Sequence, residues 1–452
     1  MKQRENGGGY PVLFGSQQRR IALGLMFALS GGIFFQQGAI AEKSSQLVGN
    51  KQVLNGIYTE SLEAGKAFQQ AMDLYQRREF ARATKYVEIA LDFDPWMPMA
   101  HYLQGHLFLE AEKPRKAQAA YASATQYDPL FVEAYYNLGL VSYDLGDLRP
   151  AIAAFGQVIR LDPEFVDAYF QLGLAYDVQG QSRSAQEQYV KVLELDDTYV
   201  AAYNNLGILL AEAGSTAEAI ANFETAIELD PDYAPAYYQL GLLYLKENNL
   251  EQALNTVGRA ASLDPENALA QYHYGLLLAE AENYDGAAKR FERTIRLNPD
   301  NVSAYRQLGV AALKNGDLDD ALVAFQEALN LDPDDALSHY NLGVVYQKQA
   351  QYTLAIAAYE QALIREPSLS EAVFNIGVCY QALGKPRKAT TFIVQARDLF
   401  AQEGRDFKVQ EADRFLQRRI LNPPTPETTP AETEAAPTEP EDSESTSTEV
   451  QA

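Results

Sequence analysis

The stretch AYYNLG at residues 134–139 returns as AYFQLG at 168, AYNNLG at 202, AYYQLG at 236, AQYHYG at 270, AYRQLG at 304, SHYNLG at 338 and AVFNIG at 372. Each copy starts 34 residues after the last, so one structural unit is repeated with nothing inserted or deleted between copies. Proline keeps the same register at 95, 129, 163, 231, 265, 299, 333 and 367, with Asp197 in the one skipped slot. A chain of 452 residues is too long for one compact core, and this period selects an array over a set of unrelated domains.

Within a unit, apolar residues recur at three- and four-residue intervals in two blocks, the pattern of two amphipathic helices. In the unit starting at 200, helix A is expected over about Val200 to Ala213, broken by Gly214. Helix B is expected over about Thr216 to Leu229, stopped before Pro231, which disfavours helical backbone in the residue ahead of it. Glycine recurs at the eighth place of units two to ten (Gly105 through Gly377) and alanine at the twentieth place of all ten (Ala83 through Ala389). Small residues there imply that two helix backbones approach closely, with plugs such as Tyr135, Phe155, Tyr237 and Phe291 packed between them.

The order Tyr237, Leu240, Gly241, Tyr244, Ala253, Ala260, Pro265 resembles the tetratricopeptide repeat, with Val257 in place of that family's second aromatic residue. The resemblance implies an all-α fold: a right-handed superhelical solenoid of ten 34-residue helix-turn-helix repeats over residues 64–403. The first unit is the poorest match, with Ala71 for the glycine and Gln70 for the leucine. Ahead of it, residues 42–63 read as a polar lead-in with room for a short helix. Behind the array, 404–422 read as a capping helix with Ala412, Phe415, Leu416 and Ile420 as its apolar contacts. Residues 423–452, rich in Pro, Thr, Glu and Ser with eight acids and no base, are too polar for a core and read as a disordered acidic tail.

Residues 1–41 are of another kind. Lys2, Arg4, Arg19 and Arg20 precede a mostly apolar run from Ile21 to Phe35, and Ala39-Ile40-Ala41 offers a small-x-small site. That order is expected of a signal peptide for export to a periplasm, thylakoid lumen or extracellular space. Left uncut, the apolar stretch to Ala41 would be a membrane tether through residues 21–41. Cleavage after Ala41 would take the net charge from −24 to −27, since the segment holds four bases and one acid. So acidic a chain argues against nucleic acid, whose phosphates need a basic face, and limits membrane contact to the N-terminal segment if it is retained. One cysteine, Cys379, excludes an internal disulfide and any zinc–thiolate cluster, and no metal or cofactor is expected.

Spacing assembles no catalytic group. The four histidines, 101, 106, 273 and 339, form no metal-ligand pair at helical spacing, and no phosphate loop or GxSxG nucleophile turn occurs, so the chain is read as a non-enzyme. His101 and His339 fall at an aromatic core place of their units and are expected to pack.

Binding residues are easier to find. The resemblance implies a concave groove lined by helix A, mainly by its second, fifth, sixth, ninth, twelfth and thirteenth places. The sixth place reads Asn137, Gln171, Asn205, Gln239, His273, Gln307, Asn341 and Asn375. An amide can serve both the N–H and the C=O of an extended peptide, so such a ladder would read backbone; it is similar to the asparagine ladder in the repeat region of O-linked N-acetylglucosamine transferases. Beside it the fifth place gives Tyr136, Phe170, Tyr238, Tyr272, Tyr340 and Phe374, interrupted by Asn204 and Arg306, and the ninth place is apolar from unit three onward. The carboxylate clamp known in the family needs lysine and arginine at second and sixth places that this chain lacks. The expected partner is a protein or peptide, an extended or helical segment of which is held in the groove of a scaffold. Alternatives are an assembly factor or chaperone for an envelope or photosynthetic membrane complex, and a non-catalytic subunit of an enzyme complex.

Overall fold

The computed structural model describes residues 53–54, 57–59 and 61–421. The segment 1–41 and the tail from 423 lie outside the described residues. Among the described residues, one compact unit runs to Asp197 and a second begins at Thr198.

Both units are built from consecutive helical hairpins, beginning with Leu62–Gln76 and Phe80–Phe93 and ending with Ser370–Ala382 and Pro386–Gln402. The hairpin at 132 pairs Val132–Asp144 with Leu148–Leu161, and the one at 200 pairs Val200–Glu212 with Thr216–Leu229. Within a unit each helix packs against the next one in sequence, so every hairpin covers the apolar face of its neighbour. The first unit holds four hairpins and the second six. A closing helix, Asp406–Phe415, stacks on Pro386–Gln402 and continues into a π-helical turn, Leu416–Leu421.

Both turns of a repeat have a local cause. At the fifteenth place the backbone is left-handed in every repeat: five glycines, Gly146, Gly180, Gly214, Gly316 and Gly384, take it at little cost, whereas Arg78, Glu112, Asn248, Glu282 and Ala350 hold φ between 55° and 60°. In six repeats helix B ends at an Asp-Pro step, and Asp196-Asp197, Asn298-Pro299 and Glu366-Pro367 take its place in three others. At the Asp-Pro step the aspartate carboxylate accepts from the amide two residues on, as from Asp94 to Trp96 at 3.1 Å and from Asp230 to Asp232 at 3.0 Å, closing an Asx turn that the proline then stiffens.

Seven of the nine glycines of the eighth place make room for an aromatic ring, which corrects the expectation of a second backbone there; Gly241 and Gly377 instead face Val257 and Ile393, with the backbone nitrogens of those residues also close. A Cβ on Gly139 would stand 2.5 Å from the ring of Phe155, and the same holds for Gly105 with Tyr121, Gly207 with Phe223 and Gly309 with Phe325. Helix B thus lays a ring flat across helix A of its own hairpin. The first repeat keeps the arrangement with both partners changed, Ala71 facing the smaller Val87, and both are fully buried. Alanine at the twentieth place is fully buried in all ten hairpins.

The first helix starts at Leu62, where the Ser61 hydroxyl caps it by accepting from the Ala64 amide at 3.1 Å. Among the described residues of the lead-in there is a small antiparallel pair, with Val53 opposite Tyr58 and Leu54 opposite Ile57. Asn-Gly between two β-formers is the strongest short hairpin signal, and VLNGIY carries it. Thr59 then donates to the Asp94 carboxylate at 2.6 Å, fixing the chain's entry beside the first Asx turn.

Candidate functional site

Fifth and sixth places of successive A helices lie 35 residues apart, and the fold brings them side by side. In the first compact unit, Asn137 Nδ2 donates to the Tyr102 hydroxyl at 2.8 Å, and Gln171 bonds to the hydroxyl of Tyr136. In the second, Asn375 Nδ2 lies 3.3 Å from the Tyr340 hydroxyl, and Gln307 and Ser303 bond to that of Tyr272. Tyr238 reaches His273 Nδ1 at 2.7 Å. Burial pushes His273 down to about 4, so its ring is neutral, and the tautomer sets which of the two groups donates. Tyr340, pushed up to about 12 by burial and by the Glu371 charge, stays protonated.

The rings of these fifth-place residues have seats of their own. Each lies near the helix B plug of its hairpin, with centroids 5.9 Å apart for Tyr136 and Phe155, 5.8 Å for Phe170 and Tyr189, 5.8 Å for Tyr272 and Phe291, and 5.6 Å for Tyr340 and Tyr359. One tyrosine therefore joins two layers: the ring completes its own hairpin and the hydroxyl fixes the next one. At the end of the array Phe374 meets Phe400 and, in the closing helix, Phe415. Arg405 there pairs with Glu371, so the cap covers the last hairpin with an aromatic ring and a charge.

The ladder therefore divides. Asn137 and His273 are buried, and the other six rungs are half-buried. Three rungs follow a fifth place with no tyrosine: Phe170 stands 35 residues before Asn205, Asn204 before Gln239, and Arg306 before Asn341. Arg306 turns instead to Asp335, whose two oxygens it holds at 2.8 and 3.0 Å. Asn204 is buried and donates to Asn205 Oδ1 at 3.1 Å. Among the described residues, Gln239 and Asn341 have no side-chain partner, and Asn205 keeps its own N–H₂ free. Alongside these three amides the ninth-place residues Ile208, Leu242 and Val344 are half-buried.

Other sequence expectations find their places. His101 and His339 are half-buried and bond through Nε2 to the carbonyls of Pro95 and Pro333, at 2.9 and 3.0 Å. Cys379 is buried, with its thiol pushed up to about 12 by burial, and lies 3.4 Å from Gln347 Oε1, which also accepts from the Tyr359 hydroxyl. No group of three or more His, Cys, Asp or Glu among the described residues could hold a metal ion. The tyrosine–amide pairing escaped the sequence reading, although its signal was present: at every tyrosine of the fifth place, an amide or imidazole stands 35 residues on.

One model of the tetratricopeptide repeat matches residues 102–163, 142–180, 170–234 and 275–336, and two further models of the same repeat match 210–277 and 336–369. The chain belongs to the tetratricopeptide repeat family. Proteins of this family bind protein partners, and the repeat is generally a non-catalytic scaffold. The hairpins at 64 and 370 lie beyond the matched residues and have the same helix pairing. Comparison with curated proteins finds no match. Among solved structures, the chain is similar to YrrB, described as a tetratricopeptide repeat protein with an unusual peptide-binding site, at 28% identity over 42% of this chain and 97% of that one, with a TM-score of 0.40. It is also similar to MamA from Desulfovibrio magneticus RS-1, at 22% identity over 38% and 96% with a TM-score of 0.35, and to PilF of Pseudomonas aeruginosa, at 21% over 48% and 98% with a TM-score of 0.38.

Proposed function

We propose that this tetratricopeptide repeat protein is a non-enzymatic scaffold that holds an extended segment of a partner protein along its A helices, gripping it at Asn205, Gln239 and Asn341. The observation that carries this reading is the division of the ladder. Rungs that follow a tyrosine are consumed in joining hairpins, while these three keep amide capacity beside an apolar strip. A half-buried amide with no protein partner offers a donor and an acceptor to a peptide backbone, and the ninth-place residues offer contact to its side chains.

Replacing Asn205, Gln239 and Asn341 together with Ala should leave helix content intact: Gln239 and Asn341 give up no fold contact and shift stability by roughly 0.5 kcal/mol per site at most, whereas Asn205 gives up the bond from buried Asn204, which costs about 1–3 kcal/mol. Partner capture should collapse. The measurement is photocrosslinking in the native cell from a photoreactive residue at 239, with the same residue at the exposed helix B position Glu224 as control. Equal capture from both positions, or full capture by the triple variant from a photoreactive residue at 242, would reject the reading.

A further inference from the structure

We propose that the edge of the first two hairpins carrying Phe93, Trp96 and Leu130 rests on a membrane surface, with the chain arriving there from a retained N-terminal apolar segment. Trp96 and Leu130 both occupy the residue after the Asp-Pro step and are 67% and 72% exposed. In the seven hairpins that follow, the same place is Glu164, Thr198, Asp232, Glu266, Asp300, Asp334 or Ser368, so only the N-terminal pair offers apolar side chains there. Phe93, 55% exposed, lies three residues before Trp96, and the indole stands edge-on to Tyr127 with centroids 5.4 Å apart. These residues therefore share one edge.

Three further observations select a bilayer as the occupant. First, the chain enters the fold at this edge: Thr59 bonds to Asp94, two residues from Trp96. From Ala41, where the apolar stretch ends, the residues to Val53 can span at most about 40 Å, so a tether in the membrane keeps this edge near it. Second, charge is unevenly placed. Residues 64–131 hold eight acidic and eight basic side chains and are neutral, whereas 132–422 hold 41 acidic and 23 basic ones, a net charge of −18. The part nearest the tether is thus the part that anionic headgroups would not repel. Third, the exposed set is a tryptophan with a phenylalanine and a leucine, and an indole is suited to the headgroup level, with an apolar body and one N–H donor. No described helix is long and apolar enough to cross a membrane, so contact here is peripheral.

Trp96 is the only tryptophan in the chain, which makes it its own probe. The full chain, residues 1–452, is reconstituted into phosphatidylcholine vesicles, and Trp96 emission is read with acrylamide in the water and with lipids brominated near the headgroup. The expected result is blue-shifted emission, protection from acrylamide and quenching by the brominated lipid. Phe93→Glu with Leu130→Glu, both at exposed sites, should leave helix content unchanged and return Trp96 to water-like emission. Water-like, acrylamide-accessible emission from the vesicle-bound full chain would overturn the proposal. So would failure of the full chain to bind vesicles, or a double variant that still shows lipid quenching. Shielding of Trp96 only when a soluble protein is added would assign the edge to that protein and reject the bilayer.

Discussion

Gly139 lacks a side chain because the ring of Phe155 fills that space. The ring belongs to helix B of the same hairpin, and a methyl group on residue 139 would meet it at 2.5 Å with Phe155 fully buried and unable to swing away. Gly139→Ala should therefore destabilise the first compact unit by about 1–3 kcal/mol, read from chemical denaturation. Adding Phe155→Val, which copies the Ala71 and Val87 pair of the first hairpin, should recover part of that loss. An alanine tolerated without cost in the wild-type background would show that the ring does not fix the glycine. At this scale the sequence was only half legible. Strict glycine at one place and a large residue at another announced tight packing, but the one-dimensional pattern does not say which two places meet. The interhelical contact had to be seen before the glycine could be assigned to a ring.

At the scale of the helix, boundaries were legible because several signals agreed: apolar periodicity, a break at the fifteenth place and Asp-Pro at the end. The tyrosine–amide bonds between A helices were not read, since they join residues 35 apart that belong to two repeats and each looks complete within its own. The small β pair is hidden for another reason: the lead-in is polar overall, and its Asn-Gly signal spans only six residues. Helix-to-helix bonding also implies a pH response. Burial pushes His273 and His106 down to about 4, below the ordinary histidine value of about 6.5. The fold then favours the neutral rings, so their contribution is fully present above about pH 6.5 and is lost as pH falls towards 4, by up to about 3 kcal/mol for each. Glu133 and Asp177 oppose this, because burial raises their carboxyls and acid relieves them. The decisive quantity is accordingly the difference between wild type and His273→Gln. The wild type should lose its advantage over the variant between pH 6.5 and pH 4 in thermal melts, and a difference constant over that range would disprove that the fold holds the His273 ring neutral.

For the molecule as a whole, nearest-neighbour packing decides how far a lesion travels. Within each compact unit every hairpin relies on the next to cover its apolar face, and the last one at 370–402 relies on the closing helix. Phe415 lies 5.8 Å from Phe374 by ring centroids, and Arg405 pairs with Glu371 and Glu403 and sits 5.1 Å over the ring of Phe400. These contacts stand where another repeat would supply its own A helix. Removing them with Phe415→Ala and Arg405→Ala should therefore leave the array present but loosen its end. Amide hydrogen exchange is the suitable measurement, since it reports opening free energy segment by segment. The double variant should speed exchange in Ser370–Ala382 and Pro386–Gln402 by about tenfold or more, the equivalent of about 1.4 kcal/mol, with a smaller effect in Ala336–Lys348 and none in residues 64–195. Acceleration spread evenly over all hairpins would mean that the array opens as one cooperative body, and additive stacking would then be the wrong physical description of it.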